Sequence, residues 1–190
     1  MNNDIKVFDK VIPDGYADAI EEDLLQQEFP WYYIDDVTNP DYGNNSGLSH
    51  VVFNHGKQPL EYYPFLKPLV YAIAEANGKP LEQLFRIRIG FLPKTDEPEY
   101  EYNTPHVDFF WSHYTACYYV NDSDGPTRFY KSNTDNTPMI DAEAKKGRIL
   151  MFPACYQHQA LAGTGDIRMT VNFAIRINTM LNDIAYAGNT

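Results

Sequence analysis

Cysteine is nearly absent: Cys117 and Cys155 are the only two in 190 residues. Two cannot build the disulfide framework that staples small secreted domains, and they are too few for a cysteine-rich structural zinc site. Both sit in apolar runs and read as buried free thiols. Positive charge is also scarce, with 15 Lys and Arg against 26 Asp and Glu and a formal net charge of −11. Such a surface repels polyanions, so no nucleic acid and no anionic membrane is expected as a partner. No apolar stretch approaches the length of a membrane span, and Met1-Asn-Asn-Asp-Ile-Lys6 lacks the apolar run of a secretory signal. A reducing cytoplasm is the expectation, under which the sequons Asn44-Asn-Ser46 and Asn121-Asp-Ser123 are incidental.

The length suits one domain over 1–190 with a real hydrophobic core. Aromatics reach 15%, with 15 Tyr and 11 Phe, which favours a strand-rich interior. Ile5 to Phe8 reads as a short strand. A helix follows from Pro13-Asp14, with Tyr16, Ile20 and Leu24 recurring on one face, and stops before Phe29-Pro-Trp31. Residues 35–48 are rich in Asp, Asn, Gly and Pro and read as a loop, and His50 to Asn54 as a short extended piece. A second helix is expected from Pro64 or Pro68 to Asn77, burying Leu66, Leu69, Val70 and Ile73, with Gly78 as its stop.

From Leu84 the period changes. Phe85, Ile87, Ile89 and Phe91 alternate with Arg86, Arg88 and Gly90, the pattern of a strand. Further strands are expected at 104–110, 114–121, 127–131, 147–152, 157–161 and 168–177. Asn121 to Pro126 is expected as a turn, and 132–138 as a polar, turn-rich stretch without chemistry. The chain is therefore α+β, mainly β: helical support over about 1–80, then an antiparallel barrel or sandwich over about 84–177.

His106-Val-Asp108 places two ligand types at i and i+2, on one face of a strand. His158, within Tyr156-Gln-His-Gln159, is the candidate for a third. Two imidazoles and a carboxylate leave open positions on a metal, the arrangement of non-haem Fe(II) oxygenases. His113 reads as an aromatic-stacking residue, and His50 and His55 as solvated loop residues. Ten residues beyond His158, Arg168 opens a strand whose Met169, Val171, Phe173, Ile175 and Ile177 form one apolar face. Arg168, Thr170 and Asn172 share the other. There Arg168 can hold a carboxylate through two parallel hydrogen bonds, with the Thr170 hydroxyl beside it.

The order H-x-D, distal His, then a basic residue about ten positions later resembles the Fe(II)/2-oxoglutarate-dependent dioxygenases, in particular the prolyl-4-hydroxylase-like branch. Tyr114-Thr-Ala-Cys-Tyr-Tyr-Val-Asn121 is similar to the strand after H-x-D in that branch, Gly125-Pro-Thr-Arg-Phe129 to its Gly-Gly-Thr strand with Pro126 departing, and Gly147 to Pro153 to the strand that delivers the distal His. Phe29-Pro-Trp-Tyr-Tyr33 is similar to small phage-encoded members, for which the compartment is the host cytoplasm. The resemblance implies a double-stranded β-helix, or jelly roll, with N-terminal helices packed on the major sheet. It implies Fe(II) on His106, Asp108 and His158, 2-oxoglutarate with its far carboxylate on Arg168 and Tyr119, and O₂ at the remaining site. Thr170 is a further co-substrate contact, and Arg88 and Asn172 are candidate substrate contacts. Asp108, which halogenating relatives lack, implies hydroxylation. The substrate is expected to be a protein or peptide side chain, proline first, or a small molecule. A nucleobase is disfavoured, because Ala174 stands where nucleic acid demethylases carry a second arginine. The alternative left by the residues alone is a cupin-like metal-binding jelly roll without redox chemistry, an isomerase or binding module, or a purely structural jelly roll.

Overall fold

The computed structural model describes residues 4–35, 47–96, 104–108 and 113–177. In chain order the elements are β1 (Lys6–Phe8), α1 (Asp14–Leu25), β2 (Tyr32–Ile34), β3 (Gly47–Asn54), α2 (Tyr63–Asn77), β4 (Leu81–Leu92) and β5 (Tyr114–Tyr119). Then come β6 (Ser123–Ser132), β7 (Asp135–Ala144), β8 (Ile149–Pro153), β9 (His158–Ala160) and β10 (Arg168–Ile177). Helix α1 starts where the Pro13 carbonyl accepts from the Tyr16 and Ala17 amides, and Asp14 complements the dipole in its first turn. Helix α2 ends at Gly78, whose φ of 70° is the left-handed conformation that satisfies the last carbonyls at little steric cost.

The strands form a seven-stranded sheet in the order β1-β8-β5-β10-β4-β3-β2 and a three-stranded sheet in the order β7-β6-β9. Every pairing is antiparallel. The period-2 alternation of β4 and β10 divides the large sheet between two environments. Val171 lies opposite Ile89 and Phe173 opposite Ile87. These side chains join Ile20 and Leu24 of α1 and Leu66, Leu69 and Ile73 of α2 in one buried cluster. Both helices therefore cover the outer face of the large sheet, as expected. A smaller cluster of Cys117, Tyr119, Phe129, Leu150 and Phe152 occupies the inner side. Lys146 ties α1 to the strands through Asp18 and Glu21. Among the described residues no helix is long and apolar enough to cross a membrane.

Several local expectations are corrected. The stretch 132–138 is a hairpin, with β6 running to Ser132 and β7 starting at Asp135. The turn at 121–126 is shorter than expected, since β6 already begins at Ser123 and absorbs Pro126 at a register shift. Residues 104–108 form no regular strand; His106 alone makes an isolated bridge to His158, while 109–110 lie outside the described residues. Of the expected 35–48 loop, 36–46 also lie outside them, and Gly47 and Leu48 belong to β3. Helix α2 starts ahead of both candidate prolines, so Pro68 sits inside it. His50 is buried, its Nδ1 donating to the Pro30 carbonyl among the rings of Phe29, Tyr32 and Tyr62. Cys117 is a buried free thiol, but Cys155 is only half-buried.

The helix-on-sheet core makes a simple contrast. Ile73→Ala, on the buried face of α2, is expected to cost about 2–5 kcal/mol of stability. Tyr71→Ala, on its exposed face, is expected to stay within about 0.5 kcal/mol. Urea midpoints at constant slope measure both.

Candidate functional site

His106 and His158 face each other as an antiparallel pair. The amide of each donates to the carbonyl of the other at 2.9 Å. Residues opposed in this way carry their side chains on the same side, and the two ring centroids are 4.6 Å apart. The Asp108 amide donates to the Ala154 carbonyl at 3.2 Å, which brings its carboxylate to the same place. The ligand atoms of His106, Asp108 and His158 lie within 4.8 Å of one another, so the three residues expected from distant parts of the sequence are brought together.

The hydrogen bonds around this cluster fix its chemistry. Nδ1 of His106 lies 2.9 Å from the Thr104 carbonyl, and Nδ1 of His158 lies 2.9 Å from the Tyr156 carbonyl. A carbonyl can only accept, so each Nδ1 carries a proton and each Nε2 is the atom turned towards Asp108. Burial and the neighbouring His158 push the His106 pKa down to about 4, so its ring is neutral at neutral pH. Burial opposes ionisation of Asp108, but the neighbouring histidines and the Thr115 hydroxyl, which donates to Oδ2, outweigh it and hold its pKa below the usual value. Nε2 of His106 is 4.0 Å from Oδ1, and Nε2 of His158 is 3.8 Å from Oδ2, both beyond hydrogen-bonding distance. Two imidazole Nε2 atoms and a carboxylate thus converge in one place. That donor set suits a cation.

The cluster opens into a cavity of about 100 Å³ bounded by both sheets. Strand β4 contributes Arg86, Arg88 and Gly90, β5 contributes Thr115 and Cys117, and β10 contributes Arg168, Thr170 and Asn172. Thr127 of β6 and the apolar Phe91, Leu92, Phe152 and Ala160 also line it. The guanidinium of Arg168 is deeply buried, with the residue 4% exposed. Its Nε donates to the Gly125 carbonyl at 3.0 Å and its Nη2 to Thr127 Oγ1 at 2.8 Å. Among the described residues no carboxylate lies within ion-pair distance of it. Burying an unpaired charge costs roughly several kcal/mol, and this guanidinium stands where an anion in the cavity could meet it.

Tyr119 lies behind this surface. It is fully buried, its ring is 5.4 Å from the Arg168 guanidinium carbon, and its hydroxyl is 2.7 Å from Thr127 Oγ1. Thr127, which faces the cavity, and Thr115, which bonds Asp108, were not among the residues singled out from the sequence. Thr115 shares the strand face of Cys117 and Tyr119, so the alternation carried a signal for it; Thr127 stands in the Gly125-Pro-Thr segment. Arg88 lines the cavity with Nε donating to Ser49 Oγ at 2.8 Å, and Asn172 donates to Thr170 Oγ1 at 3.1 Å. His113 is buried edge-on to Phe85 and His55 is exposed; neither joins the cluster. Burial pushes the Cys117 thiol up to about 11.

The fold is that of the Fe(II)/2-oxoglutarate oxygenases, and in particular of the prolyl-4-hydroxylases. A prolyl-4-hydroxylase of Pseudomonas putida superposes with a TM-score of 0.61 at 15% identity, over 94% of this chain and 95% of that one. A prolyl hydroxylase of Trichoplax adhaerens, solved with a hypoxia inducible factor oxygen degradation domain peptide, gives 0.66 at 11% identity, over 92% and 84%. A 2OG-Fe(II) oxygenase family oxidoreductase of Burkholderia pseudomallei gives 0.66 at 11% identity, over 97% and 90%. No protein-family model and no curated protein matches the chain by sequence.

Thr115→Val removes the donor that orients Asp108 while keeping the shape of the side chain. Affinity for Co(II), titrated spectroscopically, is expected to fall roughly 10- to 100-fold, the usual effect of losing a partner behind a metal ligand.

Proposed function

We propose that this chain is an Fe(II)- and 2-oxoglutarate-dependent oxygenase, a hydroxylase, built as one domain in which the two sheets form a double-stranded β-helix. The observation that carries the reading is the occurrence, in one cavity, of a converging His–Asp–His cluster and a buried guanidinium with no carboxylate at ion-pair distance among the described residues. A metal-binding barrel without redox chemistry accounts for the first feature and leaves the second without a purpose.

In this reading His106 Nε2, His158 Nε2 and Asp108 hold the metal. Two neutral imidazoles and one carboxylate suit Fe(II), and they leave positions for 2-oxoglutarate and O₂. The bound metal and co-substrate supply the oxidising power, coupling the decarboxylation of 2-oxoglutarate to succinate and CO₂ with hydroxylation of a substrate C–H bond. The chain does the rest. Arg168 meets the far carboxylate of the co-substrate, with the Thr127 and Thr170 hydroxyls beside it. Tyr119 acts from behind, fixing Thr127 and backing the guanidinium. Phe91, Leu92, Phe152 and Ala160 keep the cavity apolar where water would compete. Arg88 and Asn172 face the substrate. A peptidyl side chain, proline first, is the substrate class that the resemblance supports, and the peptide-bound Trichoplax neighbour adds to that support.

His106→Ala, Asp108→Ala and His158→Ala are each expected to abolish succinate formation while leaving the melting transition cooperative. Full activity in any of them would remove that residue from the triad. Arg168→Ala is expected to keep the metal and to weaken 2-oxoglutarate roughly 10- to 100-fold, the worth of a charge-assisted bidentate contact. Tyr119→Phe should show a smaller loss, since its hydroxyl acts through Thr127. Titration of the Fe(II)–2-oxoglutarate charge-transfer band without oxygen reads both variants. An unchanged titration for Arg168→Ala would assign the carboxylate to another cation.

A further inference from the structure

We infer that Asn121 is the positioning residue for Arg168: its side-chain amide holds the peptide groups on both sides of that arginine and so aims the guanidinium into the cavity. The inference rests on the oxygenase reading and adds a residue that sets the affinity for the far carboxylate of 2-oxoglutarate.

Strands β5 and β10 pair as far as Tyr119 and Thr170, and one further bond runs from the Val120 amide to the Met169 carbonyl at 3.0 Å. At Asn121 the chain bends away towards β6, which begins at Ser123. Arg168 thus lies opposite Leu92 on its β4 side, but on its β5 side the ladder has already ended. The side chain of Asn121 stands in for the strand that has left. Its Oδ1 accepts from the Met169 amide at 2.9 Å, and its Nδ2 donates to the Ile167 carbonyl at 2.7 Å. A primary amide offers an acceptor and donors in one plane, as a peptide group does, so it can continue a ladder beyond the backbone. Asn121 is itself buried, which shields both bonds from competing water.

The same side chain also governs where the guanidinium rests. Nδ2 donates as well to the Asp122 carbonyl at 2.8 Å, which shapes the turn leading into β6. On that strand the Gly125 carbonyl accepts from Arg168 Nε, and the Thr127 hydroxyl accepts from Nη2. Gly125 has little room to shift, because a Cβ there would run into the Leu161 carbonyl oxygen and the Gly163 amide. Asp124 secures this close approach by accepting from the Thr164 amide at 3.0 Å and the Gly165 amide at 3.3 Å. Asn121 therefore joins the backbone beneath Arg168 to the segment on which its guanidinium leans. An isosteric carboxylate would not serve. It keeps the acceptor for Met169 but turns an oxygen towards two carbonyls, those of Asp122 and Ile167. Asn121 does not itself line the cavity, so it acts through Arg168.

The full chain, loaded with Fe(II) without oxygen, is titrated with 2-oxoglutarate and with 2-oxobutanoate, which has the ketoacid but no far carboxylate. The metal–ketoacid charge-transfer band reads both. The ratio of the two affinities reports the far carboxylate, because effects on chelation or folding cancel in it. Asn121→Asp is expected to narrow the wild-type ratio roughly tenfold, a large part of the worth of a charge-assisted bidentate contact. Asn121→Ser, which removes the amide without adding charge, should narrow it likewise. Ile73→Ala, which loosens the outer core, should lower the melting temperature and leave the ratio unchanged. An unchanged ratio in a folded Asn121 variant, or an equal loss for both ketoacids, would overturn the inference. A measurement on the wild-type protein stands however the variants fold. With diamagnetic Zn(II) in the site, saturating 2-oxoglutarate is expected to slow hydrogen exchange of the Met169 amide more than saturating 2-oxobutanoate does. Linkage requires this, since a clamp that favours the carboxylate is itself favoured by it. Equal protection by the two ketoacids would also overturn the inference. Failure of the wild-type protein to bind 2-oxoglutarate at all would instead overturn the oxygenase reading, a distinguishable result.

Discussion

Two imidazoles and a carboxylate drawn to within 4.8 Å of one another make a donor set that calls for a cation. That constraint governs the inner side of this molecule. The reciprocal amide–carbonyl bonds of His106 and His158 fix the two rings on one side of the chain, and two further carbonyls accept hydrogen bonds from their Nδ1 atoms. The Thr115 hydroxyl holds the carboxylate of Asp108 from the adjoining strand. None of these contacts could be kept on a sheet that was apolar on both faces. The helices α1 and α2 bury the outer face of the large sheet, which supplies the hydrophobic free energy of folding and leaves β4, β5 and β10 able to present arginine, threonine and asparagine within.

Strand β10 shows why so much of this was legible in the sequence. Its odd-numbered residues from Met169 to Ile177 are all apolar and all buried, so both its bounds and the cavity side of Arg168, Thr170 and Asn172 follow from alternation alone. The H-x-D pair and His158 were legible by spacing and residue type, although the backbone around them is an isolated bridge and not the strand that the spacing suggested. Strand β7 was not legible. Most of Asp135–Ala144 is exposed on both faces, so the stretch has no period-2 pattern to read. His50 was misread because what buries it, the Pro30 carbonyl and the rings of Phe29 and Tyr62, comes from segments distant in sequence. The contact between the Tyr119 hydroxyl and Thr127 joins the two sheets, and no local pattern encodes it.

The distribution of charge separates the surface from the interior. Acidic groups dominate the chain, whereas the cavity walls are rich in guanidinium. Overall charge therefore argues against a polyanionic partner on the outside, and it says nothing against a small anion within. The two conclusions come from different length scales: exposed charges are screened within about 8–10 Å, while buried groups feel chiefly their immediate neighbours.

Cys117 stands in the wall of this same cavity, between Thr115 and Tyr119 on β5. A thiol beside an arginine is ordinarily activated, because a cation favours the thiolate. Here burial prevails and pushes its pKa up to about 11, so the sulfur keeps its proton at neutral pH. The thiolate is the form that attacks peroxides and is oxidised to sulfenic acid. On the proposed oxygenase reading, the chamber carries the one thiol among its described wall residues in the form least vulnerable to oxidative self-inactivation.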